Sequence, residues 1–143
     1  MTELSKLYED IENQNIKLFI HNIKFTEAAT IEMGGQYGIF LDLSCFCSLG
    51  NYKEILAHEI GHCATGCTHK VSSPYDLVQK HEYKANRWAI ERYIPFDNLS
   101  SAVQQGYTEV WQLAEYFGFP EGFIRRVIDH YCIAKGKRIE GGN

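Results

Sequence analysis

The sequence predicts an α+β fold: a small three-stranded antiparallel sheet early in the chain, followed by a succession of helices. Short apolar runs at 16–20, 28–33 and 37–43 have the length of strands, and Gly34-Gly35 between the last two is a hairpin-type turn. From residue 52 onwards the apolar positions follow the helical period, punctuated by Gly66, Pro95, Gly118 and Pro120. With 143 residues, 45% hydrophobic and 13% aromatic, the chain suffices for one domain with a proper core and is short for two.

In order, residues 2–13 read as a first helix, with Leu4, Leu7, Tyr8 and Ile11 on one face. Asn13-Gln14-Asn15 breaks it ahead of the three strands. Residues 44–51 form a loop, and residues 52–64 a helix that closes near Gly66. After a loop at 68–74, a long helix spans 75–93 and stops at Pro95. Shorter helices follow at 96–105, capped by Asp97 or Asn98, at 108–117, ended by Gly118, and at 121–134, opened by Pro120. The helical pair within 107–134 has the spacing of a helix-turn-helix, with Arg125-Arg126 on its second helix. The charged, glycine-rich tail, 135–143, is expected to be disordered, leaving 1–134 as a single domain.

A formal charge of −4 and a pI of about 5.8 give no electrostatic footprint for nucleic acid or an anionic membrane. The first ten residues are polar and acidic, unlike a signal peptide, and no apolar run has the roughly 20 residues that span a bilayer. A soluble cytoplasmic protein is expected. Cys45, Cys47, Cys63, Cys67 and Cys132 are odd in number and lack a disulfide-framework spacing, so they read as reduced thiols. Cys63 and Cys67, four apart, are alternatively a second soft-metal pair.

The chemistry centres on Glu54-Ile55-Leu56-Ala57-His58-Glu59-Ile60-Gly61-His62, which contains His-Glu-x-x-His. On a helix, His58 and His62 leave the same face one turn apart and can meet one metal ion. Glu59 leans the same way without ligating that ion comfortably, and is left to hold a water. A catalytic zinc needs a third protein ligand and an open position. An all-histidine frame would put glycine at Thr65 and histidine at Thr68; Gly66 and His69 each miss by one. The other solution is a glutamate from a downstream helix. Glu82, Ala85, Asn86 and Ala89 share one face there, and the alanines allow close approach to the His58 helix. Glu82 by itself would read as a solvated charge; beside His-Glu-x-x-His it is favoured as the ligand, with Asn86 as a supporting hydrogen-bond partner. Glu91 lies too far along the axis to serve the same ion.

His58-Glu59-Ile60-Gly61-His62, followed by Glu82-x-x-Ala85-Asn86-x-Trp88-Ala89 and Ile94-Pro95, resembles the ImmA/IrrE-type zinc metallopeptidases of bacteria, phages and mobile elements. The resemblance covers roughly residues 8–131. This chain departs from it at Lys84, where relatives usually carry an acid, at Trp88, often phenylalanine, and in the turn Cys63-Ala64-Thr65-Gly66-Cys67. It implies a zincin-like helical domain, zinc as cofactor, and site-specific cleavage of a transcriptional repressor that releases silenced genes.

Under this reading His58, His62 and Glu82 hold zinc and Glu59 is the catalytic acid–base. His69, His81, Tyr83 and Tyr93 are candidates to assist the oxyanion. A peptide substrate pairs with the sheet at 37–43 if that strand is an exposed edge, and not if it is ordinary core. The rival functions are a zinc-containing regulator that binds a repressor or DNA without proteolysis, and the toxin of a toxin–antitoxin pair. Glu115, Glu121 and Asp129 around the two arginines weigh against DNA.

Overall fold

Gly34 and Gly35 carry positive φ, 61° and 81°, which glycine adopts without a Cβ penalty. Two such residues in succession make the tight turn that joins β2 (Ala28–Met33) to β3 (Gln36–Leu41) as a hairpin, with Thr30 opposite Ile39. These positions belong to a computed structural model that describes residues 3–21, 27–66 and 75–139. The first strand, β1 (Lys17–Ile20), pairs with the other side of β3, giving the order β1-β3-β2. It runs parallel to β3, with Lys17 opposite Gly38 and Ile20 opposite Leu41.

The expected antiparallel sheet is therefore a mixed one. Only the glycine turn specifies a pairing between strands that are neighbours in sequence. The sequence at 21–27 has no glycine pair, and β1 and β2 lie on opposite sides of β3. The same topology decides between the two readings of 37–43, edge or core, in favour of core. β3 is hydrogen-bonded on both sides, it ends at Leu41, and Leu43–Cys45 form a 3-10 turn whose Ser44 N–H is capped by Asp42 at 3.1 Å. Among the described residues the sheet edges are β1 and β2.

The chain divides into two compact units, residues 1–89 and 90–143. In the first, α1 (Glu3–Asn13) and α2 (Leu49–Thr65) pack together, with Leu7, Ile11 and Leu56 buried and the Tyr8 and Tyr52 hydroxyls 2.8 Å apart. α2 also packs on β2 and β3, where Ile39 and Leu41 are fully buried. Ser48 caps it by accepting the Asn51 N–H at 3.0 Å, so the helix starts earlier than its apolar pattern suggests. It ends at Gly66, whose φ of 66° is left-handed. The next helix, α3 (Tyr75–Tyr93), carries Glu82 and Asn86 in the first unit and reaches into the second.

The second unit contains α4 (Phe96–Gln104), α5 (Val110–Phe117), α6 (Glu121–Asp129) and a π-helical turn, His130–Ala134. Leu99, Leu113, Phe117, Phe123, Ile124 and Val127 are its core. Gly118, with φ 73°, turns α5 into α6, and the two helices pack against each other. The Tyr131 hydroxyl donates to the Ile94 carbonyl at 2.8 Å. Glu91 holds His130 at 3.0 Å and Lys135 at 3.4 Å, and the Lys137 ammonium stands 4.8 Å from the Phe96 ring centre. The expected tail is thus tied down at its start; residues 140–143 lie outside the described ones. No described helix is long and apolar enough to cross a membrane.

Candidate metal centre

The site begins with a helix contact. A Cβ on Gly61 would lie 2.5 Å from the Ala85 carbonyl oxygen and 3.2 Å from the Ala85 Cα, so α2 and α3 meet backbone to backbone. Ala85 is fully buried, and only small residues fit both sides of this crossing. The approach brings Glu82, about one turn before Ala85, across from the two histidines of α2.

The His58 Nε2 atom lies 2.7 Å from Glu82 Oε2, and His62 Nε2 lies 3.1 Å from Glu82 Oε1. The two Nε2 atoms are themselves 3.1 Å apart. Four lone-pair-bearing atoms aimed at one another repel unless a proton or a cation lies among them. Around a tetrahedral zinc, ligand atoms would be about 3.3 Å apart, close to these separations. Within the described residues His58, His62 and Glu82 are the group able to hold a metal ion. Their donor set, two imidazoles and a carboxylate, suits a first-row divalent ion, zinc among them.

Asn86, one turn beyond Glu82, meets His58 Nδ1 with its side-chain oxygen at 2.7 Å. With that oxygen as acceptor, His58 carries a proton on Nδ1 and turns Nε2 to the cluster. Burial works against a charged His58. The Glu82 hydrogen bond and the charges of Glu59 and Glu82 outweigh burial, and the pKa stands above its ordinary value. Hydrogen bonds from His58 and His62 hold the Glu82 carboxyl well below the usual carboxylate range, against its own desolvation.

Glu59 is nearly buried and stands outside the ligand group. Its Oε2 accepts a hydrogen bond from the Thr30 hydroxyl of β2, whose oxygen also lies 3.5 Å from the Glu59 carbonyl. Cys63 is four residues beyond Glu59. Burial and the Glu59 charge push its thiol up to about 12, so it stays a neutral thiol. Cys45, Cys47 and Cys132 are also free. Cys67, the other member of the alternative soft-metal pair, lies outside the described residues.

His69, the alternative third ligand, lies outside the described residues, as does Thr68. Thr65 is still helical, its hydroxyl bonded to the Gly61 carbonyl at 2.8 Å, and the chain turns only at Gly66. Of the oxyanion candidates, His81 is partly buried on α3 and Tyr83 is exposed, with the Arg87 guanidinium 5.9 Å from its ring centre. Tyr93 is buried and belongs to the second unit. Glu91 is engaged with His130 and Lys135 there.

Two residues of the site escaped the sequence reading. Gly61 had a signal, since glycine inside a helix costs about 1 kcal/mol and usually marks a close approach. Thr30 had none, because its contact depends on which strand lies next to α2. Comparison of the chain with protein-family models, curated proteins and solved structures gives no match.

Proposed function

We propose that the chain is a zinc-dependent metallopeptidase of the ImmA/IrrE type, with a zincin-like first unit, acting in the cytoplasm on a repressor or related regulatory protein. The observation that carries the reading is the convergence of His58 Nε2, His62 Nε2 and Glu82 on one point, with Glu59 held beside that point by a separate partner. A purely structural zinc site has no use for such a carboxylate and prefers four protein ligands. The repressor as substrate rests on the resemblance of the two sequence blocks.

His58, His62 and Glu82 would hold the ion, and Asn86 would keep His58 in the tautomer that presents Nε2. A bound zinc supplies Lewis acidity, acidifying a water and polarising a carbonyl. Glu59 takes a proton from the attacking water and passes it to the leaving amine. The β2 edge is the natural dock for an extended substrate, since Thr30 ties that strand to Glu59 and β2 has one strand neighbour among the described residues.

The test is incubation of the zinc-loaded protein with a candidate repressor, with products read by mass spectrometry. A discrete fragment with the parent and none with Glu59→Gln supports the reading. Equal cleavage by the two proteins, or none by the parent across the candidate repressors, contradicts it.

A further inference from the structure

A glutamate side chain has three rotatable bonds, and a carboxylate beside two imidazoles can turn towards them or away. Something must decide which. The Glu59 backbone is fixed by α2, but its carboxylate is gripped from another element, by Thr30 of β2. Thr30 faces the buried side of the sheet opposite Ile39, a fully buried residue of the central strand. Its β-branched side chain is stiff at χ1. A hydroxyl has a single proton to donate. Glu59 Oε2 is much nearer than the Glu59 carbonyl at 3.5 Å, and the neutral Cys63 thiol, which also meets this hydroxyl, has its own proton to donate, so the threonine proton goes to the carboxylate.

We propose that Thr30 is the positioning residue for Glu59: its hydroxyl engages Oε2, keeps the carboxylate out of the ligand cluster, and leaves Oε1 to take the proton of an attacking water. This rests on the metallopeptidase reading and adds that the sheet sets the orientation of the base. A hydrogen bond to a charged acceptor is among the stronger ones, and its loss leaves a nearly buried carboxylate oxygen without a partner. Serine at this position would keep the function and valine, nearly isosteric, would not.

The test needs no substrate. Cobalt(II) replaces zinc as a visible probe, and acetohydroxamic acid, which gives up its proton to the neighbouring base as it binds, is titrated against the cobalt spectrum. Thr30→Val should bind the hydroxamate about tenfold more weakly than the parent at unchanged cobalt content. Thr30→Ser should bind as the parent does. In a Glu59→Gln background Thr30→Val should have no further effect, whereas general damage to the fold would persist there. Thr30→Ala, which adds no bulk, runs in parallel in case the valine variant fails to fold. The proposal is overturned if the hydroxyl-free variants bind as the parent, if serine fails to rescue, or if the valine effect survives in the Glu59→Gln background. If the parent takes up no cobalt, or Glu59→Gln binds the hydroxamate like the parent, the metallopeptidase reading itself falls, and the role of Thr30 falls with it.

Discussion

His58 is held by two contacts, one at each ring nitrogen. At Nδ1, Asn86 accepts a proton at 2.7 Å; at Nε2, Glu82 draws either a proton or a cation at 2.7 Å. A metal ion at this point would replace the proton that Glu82 stabilises at Nε2, while Asn86 holds the other ring proton on Nδ1 in either state and so keeps Nε2 turned to the cluster. Asn86→Leu should therefore keep the fold and lose about 10–100-fold in zinc affinity, measured by competition with a chromogenic chelator. Parent-like affinity in that variant would remove Asn86 from the site. The histidine pair was legible because i, i+4 spacing within one helix fixes geometry locally. Glu82 and Asn86 were legible as a second helical face lined with alanines. Thr30 was not, since a threonine in a short strand looks the same whether it meets solvent or a buried carboxylate.

Between elements, the decisive feature is the crossing of α2 and α3 at Gly61 and Ala85. The added methyl of Gly61→Ala would sit 2.5 Å from the Ala85 carbonyl oxygen, which must shift to accept it. Overpacking of this kind costs roughly 1–3 kcal/mol. It would also draw Glu82 away from the histidines. The variant should melt at lower temperature and bind zinc more weakly, read by calorimetry and metal titration; a parent-like melting temperature would show that the helices separate at no cost. Helix ends were legible where breakers act locally: Pro95 stops α3, while Gly66 and Gly118 turn the ends of α2 and α5. The caps were not, since α4 starts at Phe96 ahead of the expected Asp97 or Asn98 and α2 starts at the Ser48 cap. The order of the strands was not. Gly34-Gly35 encodes the hairpin, but the parallel pairing of β1 with β3 is a long-range choice that no residue pair announces.

At the scale of the molecule, the helical pair of the second unit gives little support to nucleic-acid binding. Arg125 lies 3.7 Å from Glu121, Arg126 stands 5.9 Å from the Phe123 ring centre, and the whole chain carries a formal charge of −4. The proposed function rests on the first unit and on one cluster of side chains. The most direct measurement is zinc stoichiometry by native mass spectrometry after dialysis. One zinc per chain should remain in the parent and in Glu59→Gln, and none in Glu82→Ala. A parent without zinc, or a Glu82→Ala variant that retains it, would contradict the assignment of His58, His62 and Glu82 as the metal ligands.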